Sequence, residues 1–284
     1  MRILLTGASG QLGRQIARQG TRHQIAARDH QALDITRLDD VRLAVAAAKP
    51  DLIINAAAFN DVDGAESNPD AAFLVNEAGP RNLAIAAVES DAAILHVSTD
   101  YVFDGEKRTP YDEDDPASPL SQYGRSKLAG EVAVRAATPR HYVVRTAWVY
   151  EPEGKNFPKT LFALSRRQKE LRVVSDVKGS PTSAAHLAAA ILDLIETGAH
   201  GTYHLAGGGD GASWFELATH FFRELKTDVT LVPVSASEFP RPAPRPRYSV
   251  LRTIRQPRIV LPPWQEGIAE LARQLKTQSG ESVQ

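Results

Sequence analysis

Short apolar runs alternate with longer, Ala-rich segments along the first half of the chain. The runs that we predict as strands lie at residues 3–6, 24–27, 52–55, 93–97 and 142–145. The segments with helical length and apolar periodicity lie at residues 11–19, 38–48, 71–88 and 123–137. Strands that are apolar throughout are buried on both faces, as in parallel sheets covered by helices. The alternation therefore predicts an α/β fold with a doubly wound parallel sheet of the Rossmann type.

The alternation of predicted strands and helices ends after about residue 147. Pro and Gly become frequent, and shorter elements follow at residues 187–195, 202–205 and 214–225. We therefore predict a dinucleotide-binding domain at residues 1–147 and a smaller α+β domain, mainly substrate-binding, at residues 148–284. Some segments of the second region are expected to return to the first.

The segment 240–246 contains four prolines in seven residues. Such a run cannot lie inside a helix or a central strand. It is either a stiff surface connector or a rigid loop that closes over a ligand, with Arg245 or Arg247 near an anionic group. The sequence leaves both interpretations open.

Composition narrows the function. The chain has no Cys, which excludes disulfides, thiolate metal sites and Cys nucleophiles. A formal net charge of -1 gives no indication of a nucleic-acid partner, and no apolar run reaches the roughly 18 residues of a membrane span. The eight His are scattered without ligand spacing, so we expect no metal. We expect a cytoplasmic protein.

A glycine-rich turn directly follows the first predicted strand and opens a helix. Its glycines are Gly7, Gly10 and Gly13, with Gln11 and Leu12 between the last two. Glycines at such a turn let a phosphate approach the backbone, and the N-terminus of the helix attracts the anion. The spacing predicts a dinucleotide site.

The end of the second predicted strand bears on the choice of cofactor. An acid there binds the ribose hydroxyls of NAD, whereas an Arg accommodates the 2′-phosphate of NADP. Asp29 lies at the predicted strand end and favours NAD, but Arg28 or Arg14 could bind the NADP phosphate. The sequence leaves NADPH and NADH both open.

Two further segments are expected to contact this cofactor. Asp34 and Ile35 could flank the adenine. Ala56, Ala57 and Ala58 follow the third predicted strand, and their small side chains would let the cofactor lie close to the backbone or would simply pack a helix on the sheet.

The candidate acid is Tyr123, four residues before Lys127. Residues at this spacing share one face of a helix. An ammonium beside a phenol lowers its pKa, which produces a proton donor for a carbonyl that is being reduced. The hydroxyl of Thr99 or Ser98, at the end of the preceding strand, could hold the same substrate oxygen.

With these motifs together, the sequence resembles the dTDP-4-dehydrorhamnose reductases, a family of extended short-chain dehydrogenase/reductases. The matching pieces, in chain order, are residues 7–13, 33–36, 55–59, 62–63, 65–66, 75–76, 98–105, 123–131, 145–150, 156–157, 179–182, 245–246 and 249. Their order and spacing make the resemblance specific.

The resemblance implies a nucleotide-sugar reductase that takes hydride from NADPH or NADH. The hydride would go to C4 of dTDP-4-dehydro-6-deoxy-L-mannose and give dTDP-L-rhamnose. Tyr123 would protonate the developing alkoxide, and Lys127 would lower the pKa of Tyr123 and hold the nicotinamide ribose. Thr99 would bond the substrate oxygen.

The resemblance also implies residues that bind the rest of the substrate. Asp100 and Trp148 would position the sugar. Asn156 and Arg245 are candidates for the nucleotide half.

The sequence departs from the family pattern at several positions. Gly64 stands where a Lys is usual, and Arg252 stands where an Asp or Asn is frequent. Some members carry two acids linked to magnesium at a dimer contact, and Gln15 and Ala185 stand at those positions. We therefore expect no metal there, and a homodimer is left open.

Two alternatives remain. Another sugar-nucleotide reductase, epimerase or dehydratase could use the same scaffold, although a dehydratase would want a Glu after Asp100, where Tyr101 stands. A regulatory subunit could bind NADP without turnover, but the intact Thr99, Tyr123 and Lys127 argue against it.

Overall fold

The computed structural model describes residues 1–279. In chain order, the strands are β1 (Arg2–Thr6), β2 (Gln24–Arg28), β3 (Leu52–Asn55), β4 (Ala93–Thr99), β5 (His141–Thr146), β6 (Val149–Tyr150), β7 (Glu170–Val174), β8 (Lys178–Gly179), β9 (Thr182–Ser183), β10 (Gly201–His204), β11 (Ala212–Ser213) and β12 (Thr230–Val234). The α-helices are α1 (Gln11–Gln19), α2 (Leu38–Ala48), α3 (Gly64–Ser67), α4 (Pro69–Phe73), α5 (Gly79–Glu89), α6 (Gln122–Ala137), α7 (Phe157–Ser165), α8 (Ala184–Thr197), α9 (Trp214–Leu225) and α10 (Trp264–Ser279). Short 3₁₀ turns cover Asp100–Val102 and Ala236–Glu238, and a π-helical turn covers Leu74–Ala78.

Six parallel strands form the central sheet in the order β10-β5-β4-β3-β1-β2. One core packs α1 and α8 on one face of this sheet, and another packs α2, α5 and α6 on the opposite face. The predicted Rossmann-type sheet is confirmed, because apolar strands are covered by helices on both sides.

The register of the sheet places the candidate site residues at one edge. Thr6 pairs with Asn55, and Thr99 pairs with Thr146. The glycine turn, the alanine segment after β3 and the residues after β4 therefore all leave the sheet at its carboxyl end. Open α/β sheets bind ligands at this edge.

A third core lies beside the sheet. Side chains of α9, α10 and β7 build it, together with Tyr150 and Leu161. The segment from α8 to β10 joins the first sheet instead, since β10 pairs with β5 and α8 packs against α1. The boundary at residue 147 stays a prediction, and the last five residues of the predicted second region lie outside the described part of the chain.

The predicted helix at residues 71–88 is interrupted. Its middle is the π-helical turn Leu74–Ala78, which contains the buried Asn76. The Asn76 amide bonds both the N–H and the C=O of Phe59, at 2.8 and 3.0 Å, and also donates to Ser126 Oγ at 3.0 Å. The wider turn thus clamps the loop after β3 onto α6, a use typical of π-turns near functional sites.

Among residues 1–279, none of the helices combines the length and the apolar character that crossing a bilayer requires.

Candidate active site

The glycine turn leaves room for a ligand close to the backbone. Gly7 has a φ of 69°, and a Cβ there would lie 2.5 Å from the backbone of Ala56 and Ala57. A Cβ on Gly13 would lie 2.2 Å from the Gly7 carbonyl oxygen. Only glycine fits this crossing of β1, β3 and α1, and α1 begins at Gln11 directly beyond it. The arrangement fits the diphosphate of a dinucleotide.

A cavity of about 310 Å³ lies between this turn and α6. It brings together seven predicted cofactor residues and the substrate candidates Thr99, Asp100 and Trp148. The lining is Gly10, Gln11, Leu12, Ala56, Ala58, Asn60, Val97, Ser98, Thr99, Asp100, Tyr123, Lys127, Thr146, Ala147, Trp148 and Val149. The predicted residues Gly7, Gly13, Asp29, Asp34, Ile35 and Ala57 lie outside this lining.

Both candidate acids for the adenosine half take part in local turns. Asp29 directly follows β2, and its carboxylate accepts from the Ala32 N–H at 2.9 Å. Asp34 accepts from the N–H and the hydroxyl of Thr36, at 3.0 and 2.7 Å, which lowers the pKa of Asp34. Ile35 is buried in the core. Arg14 is paired with the buried Glu151.

Lys127 and Tyr123 project from the first turns of α6, which Ser121 caps by accepting from the Gly124 N–H at 3.1 Å. Lys127 is 2% exposed, and its Nζ donates to the Val97 carbonyl oxygen at 2.7 Å. Burial lowers the pKa of Lys127 to about 8. The ammonium is therefore held over the end of β4.

Burial is also the main influence on the pKa of the Tyr123 phenol. It raises the pKa of Tyr123 well above its usual value, although a hydrogen bond with Thr99 opposes this rise. The expected lowering of the Tyr123 pKa by Lys127 is wrong for this structure, because desolvation outweighs the other influences and the Lys127 ammonium is bonded to Val97. A phenol with a raised pKa is protonated at neutral pH, as a proton donor must be.

Asp100 lies beneath Thr99 and is 3% exposed. Its two oxygens accept from Thr99 Oγ1 at 3.1 Å and from Ser249 Oγ at 2.6 Å. Burial raises the pKa of Asp100 to about 6, and the bond from Ser249 opposes this rise. The carboxyl group ties the end of β4 to the segment that follows the prolines.

Trp148 separates this cavity from a second one. Its indole is stacked on Trp214, with ring centroids 3.4 Å apart and planes at 4°. The Trp148 φ of 47° is unusual for a residue with a side chain, and a Cβ on Gly179 would lie 2.5 Å from the indole. Trp148 is therefore confined by the Trp214 ring and by the backbone at Gly179.

The second cavity has a volume of about 420 Å³ and is largely aromatic and aliphatic, with three arginines. The lining is Tyr101, Trp148, Phe157, Thr160, Leu161, Leu164, Arg172, Val173, Val174, Val177, Trp214, Ala236, Phe239, Arg241, Arg245, Pro246 and Ser249. Apolar walls with a few convergent polar groups are typical of ligand sites.

Asn156 lies apart from this second cavity. Its Oδ1 caps α7 by accepting from the Lys159 N–H at 3.2 Å, and its Nδ2 donates to the Glu151 carbonyl at 2.6 Å and to Gln11 Oε1 at 3.4 Å. These contacts join α7 to the glycine turn. The predicted substrate role of Asn156 stays a prediction without a described contact in its favour.

The model of the RmlD substrate binding domain matches residues 1–277 of the chain. The chain belongs to the RmlD family. A dTDP-4-dehydrorhamnose reductase of Mycolicibacterium smegmatis is 43% identical over 95% of this chain and 84% of that protein. A probable dTDP-4,6-dihydroxy-2-methyloxan-3-one 4-ketoreductase of Streptomyces antibioticus is 43% identical over 88% of this chain and 86% of that protein.

Solved structures of the RmlD family have the same fold. A dTDP-4-dehydrorhamnose reductase of Clostridium acetobutylicum has a TM-score of 0.94 at 42% identity and covers 97% of this chain and 100% of its own. One of Bacillus anthracis, solved in complex with NADP, has a TM-score of 0.93 at 38% identity and covers 96% of this chain and 99% of its own. The resemblance inferred from the sequence motifs is confirmed.

The two positions at which the family pattern led us to expect no metal lie away from the cofactor cavity. Gln15 and Ala185 line a separate cavity, where Gln15 Nε2 donates to Glu151 Oε2 at 3.2 Å. Within residues 1–279, no group of three or more His, Asp or Glu is placed to hold a metal ion.

Sequence reasoning missed two aromatic residues of the site. From the sequence, Trp214 is only the first residue of a short element, and Tyr101 is only the residue that stands where a dehydratase would want a Glu. Trp214 is the first residue of α9, which Ser213 caps. Its stacking on Trp148 could not be read from the sequence.

Proposed function

We propose that this protein reduces the C4 keto group of dTDP-4-dehydro-6-deoxy-L-mannose to the alcohol of dTDP-L-rhamnose. The observation that carries the proposal is the convergence of Tyr123, Lys127 and Thr99 in one cavity beside the glycine turn. Relatives named dTDP-4-dehydrorhamnose reductase support it.

The chain's own residues have separate roles in this reaction. Tyr123 donates its phenolic proton to the carbonyl oxygen, and Thr99 holds that oxygen within reach. Lys127 holds the nicotinamide ribose. The nicotinamide, when bound, supplies the hydride to the carbonyl carbon. Positioned proton donors of this kind contribute about 10²–10⁴-fold to a rate.

The cofactor lies along the carboxyl edge of the sheet in this proposal. The glycine turn and the N-terminus of α1 take the diphosphate, and Ala56 and Ala58 let the nicotinamide half pass close to the backbone. Support for NADPH comes from the Bacillus anthracis relative, which was solved with NADP. The position of Asp29 directly after β2 favours NADH, so both cofactors belong in the assay.

The second cavity takes the nucleotide sugar. Trp148 and Asp100 border the reacting sugar, and Trp214 and Phe157 offer aromatic faces to the base. Arg245 and Arg241 bring positive charge to the same cavity, which suits a diphosphate. The sugar C4 would then lie where the two cavities meet, at Trp148.

A second candidate substrate comes from the Streptomyces antibioticus relative, whose identity to this chain equals that of the mycobacterial reductase. The substrate given in the name of that relative is also a 4-keto sugar, but it lacks the hydroxyl on the carbon next to the anomeric centre. The same proton donor, Tyr123, and the same hydride donor, the reduced nicotinamide, would serve both sugars. Discrimination would come from groups around that one hydroxyl.

The test follows oxidation of NADPH or NADH when the purified protein is mixed with each of the two keto-sugar nucleotides. The proposal expects a higher kcat/KM with dTDP-4-dehydro-6-deoxy-L-mannose and dTDP-L-rhamnose as the product. A preference for the 2-deoxy sugar would support the second candidate. Tight cofactor binding without oxidation by any keto-sugar nucleotide would support a regulatory subunit instead.

We further infer that the enzyme works in the cytoplasm and needs no metal, and that it could form a homodimer without magnesium. Cell fractionation checks the first inference. Light scattering during size-exclusion chromatography, with and without EDTA, checks the others: a metal-dependent change in mass or activity would contradict them.

A further inference from the structure

The proline-rich segment 240–246 is fixed at two points beside the active site. Arg245 bonds Asp63, which lies 182 positions earlier in the chain. Ser249, just beyond the prolines, bonds Asp100 at 2.6 Å. Pro246 also packs where a Cβ on Gly105 would lie 2.7 Å away. The segment is therefore no free connector, since it is fastened across the second cavity.

The contact between Arg245 and Asp63 is a paired, two-bond interaction. Arg245 Nη1 donates to Asp63 Oδ1 at 3.0 Å, and Nη2 donates to Oδ2 at 2.9 Å. The Ala243 N–H also donates to Asp63 Oδ1, at 3.2 Å. Two-bond pairs fix the plane of the guanidinium as well as its position. These bonds lower the pKa of Asp63, so it is charged at neutral pH.

The same guanidinium reaches the catalytic residues through Tyr101. Tyr101 and Arg245 both line the second cavity, and the Arg245 cation opposes the rise that burial gives the pKa of Tyr101. The Tyr101 ring meets the Tyr123 ring edge to face, with centroids 5.7 Å apart and planes at 87°. Edge-to-face pairs have a preferred geometry, so the orientation of Tyr101 constrains the orientation of Tyr123.

Asp63 also continues the loop that borders the cofactor cavity. That loop begins with Ala56 and Ala58 in the cavity lining, and Asn76 holds its Phe59 on both backbone groups. A carboxylate at position 63 is therefore anchored to the cofactor side, whereas Arg245 belongs to the substrate side.

We propose that Asp63 is a positioning residue that, through Arg245 and Tyr101, holds the Tyr123 phenol in line with the substrate carbonyl. Asp63, Arg245 and Tyr101 form a clasp that joins the cofactor loop, the proline-rich segment and the proton donor. This proposal rests on the proposed function, because the clasp positions the proton donor of that reaction. Arg241, which is more exposed and lies 3.8 Å from Asp63, is freer than Arg245 to meet a diphosphate.

The clasp and a role of Arg245 in diphosphate binding alone predict opposite changes in kcat and KM for Asp63→Asn. If Arg245 served only to bind the diphosphate, losing its carboxylate partner would free the cation and lower the KM for the sugar nucleotide. The clasp instead expects kcat to fall about tenfold to a hundredfold, as small misplacements of catalytic groups do, while the KM and the Kd for NADPH change less than about threefold.

Four further variants sharpen the test. Tyr101→Phe removes the phenolic hydroxyl on which the Arg245 charge acts. The Asp63→Asn/Tyr101→Phe double variant should lose no more activity than the worse single variant, because both act through one chain of contacts. Arg245→Lys keeps the charge but loses the two-bond geometry, and should lower kcat as Asp63→Asn does. Its KM is no readout of the clasp, because Arg245 also lines the cavity assigned to the sugar nucleotide. Asp112→Asn is the matched control: it breaks the 2.8 Å pair with Arg252, away from both cavities, and should keep full activity.

One readout needs no substrate. Near-ultraviolet circular dichroism reports the packing of the Tyr101–Tyr123 pair and should change in Asp63→Asn but not in Asp112→Asn. An unchanged spectrum, a lowered KM with an unchanged kcat, or fully additive losses in the double variant would overturn the clasp. Failure of the proposed function would be distinct, since the wild-type protein itself would then reduce no keto-sugar nucleotide while the spectra still test the clasp.

Discussion

The Lys127 ammonium lies 2.7 Å from the Val97 carbonyl oxygen, one helical turn beyond Tyr123. This bond satisfies one of its three donors in a site where the side chain is 2% exposed. The remaining donors are available to a ribose hydroxyl in the adjoining cavity. A buried charge with so few partners is costly, and this cost gives the first prediction.

Lys127→Met should yield a protein that is more stable at pH 7 but inactive. Burial lowers the pKa of Lys127 to about 8, so between pH 8 and its usual value near 10.5 the unfolded chain binds more protons, and the stability of the wild-type protein rises with pH. We expect a gain of roughly 1–3 kcal/mol at pH 7 for the variant, reduced by the lost bond to Val97.

Urea unfolding of both proteins at pH 7 and pH 10 measures this effect. The difference in unfolding free energy should shrink toward pH 10, where the wild-type lysine is neutral in the fold. A variant that is less stable at pH 7, or a difference that does not vary with pH, would contradict the account of Lys127.

Asp100→Asn should stabilise the protein above pH 6 and change little near pH 4. Burial raises the pKa of Asp100 from 3.8 to about 6, so the fold holds this proton more tightly than the unfolded chain does, and wild-type stability falls as the pH rises through that window. The amide has no charge to bury and should gain roughly 1–3 kcal/mol at pH 8.

Guanidinium unfolding at pH 4 and pH 8 distinguishes this from a simple loss of contacts. Ser249→Ala is the companion variant, because it removes the 2.6 Å bond to the carboxylate and should weaken the protein more at pH 8 than at pH 4. Equal effects at both pH values would show that the Asp100 charge does not matter.

Gly179→Ala should raise the KM for the sugar nucleotide about tenfold and leave cofactor affinity unchanged. The added Cβ would lie 2.5 Å from the Trp148 indole and would push it off the stack with Trp214, at the junction of the two cavities. Overpacking of this kind forces side chains to move. In Gly198→Ala the added Cβ would have no neighbour within 4 Å, but the φ of 66° is strained for alanine. This variant therefore controls for a loss of stability without contact with Trp148.

Tryptophan fluorescence follows the same variant. The spectrum should change in Gly179→Ala and then respond less to added nucleotide sugar than the wild-type spectrum does. An unchanged KM together with a displaced indole would show that Trp148 does not help to bind the sugar.

Much of the first region followed from local pattern. Periodicity predicted α1, α2 and β3 with the bounds observed, because apolar spacing along a buried strand or amphipathic helix depends on near neighbours. The cap at Ser121 was also predictable from its place before α6. The glycine turn, the alanine segment and Thr99 could be proposed from the sequence because they follow strand ends, and Tyr123 and Lys127 because of their helical spacing.

The second region was harder to predict for a physical reason. Strands β6 and β9 have two residues each, which is too short to show an alternation of apolar and polar residues. They pair with each other although more than thirty positions of chain separate them. Likewise, Asp63 and Arg245 meet only through the fold. The error on the Tyr123 pKa has the same origin, since burial is set by distant segments and the Tyr–Lys spacing reports only the local helix.

The most direct test of the central claim compares Tyr123→Phe with the wild-type enzyme. Phenylalanine keeps the ring against Tyr101 but has no proton to donate. The variant should bind NADPH as tightly as the wild-type protein and reduce dTDP-4-dehydro-6-deoxy-L-mannose at least about a hundredfold more slowly. Reduction by Tyr123→Phe at the wild-type rate, with the fold and cofactor binding intact, would contradict the assignment of Tyr123 as the acid.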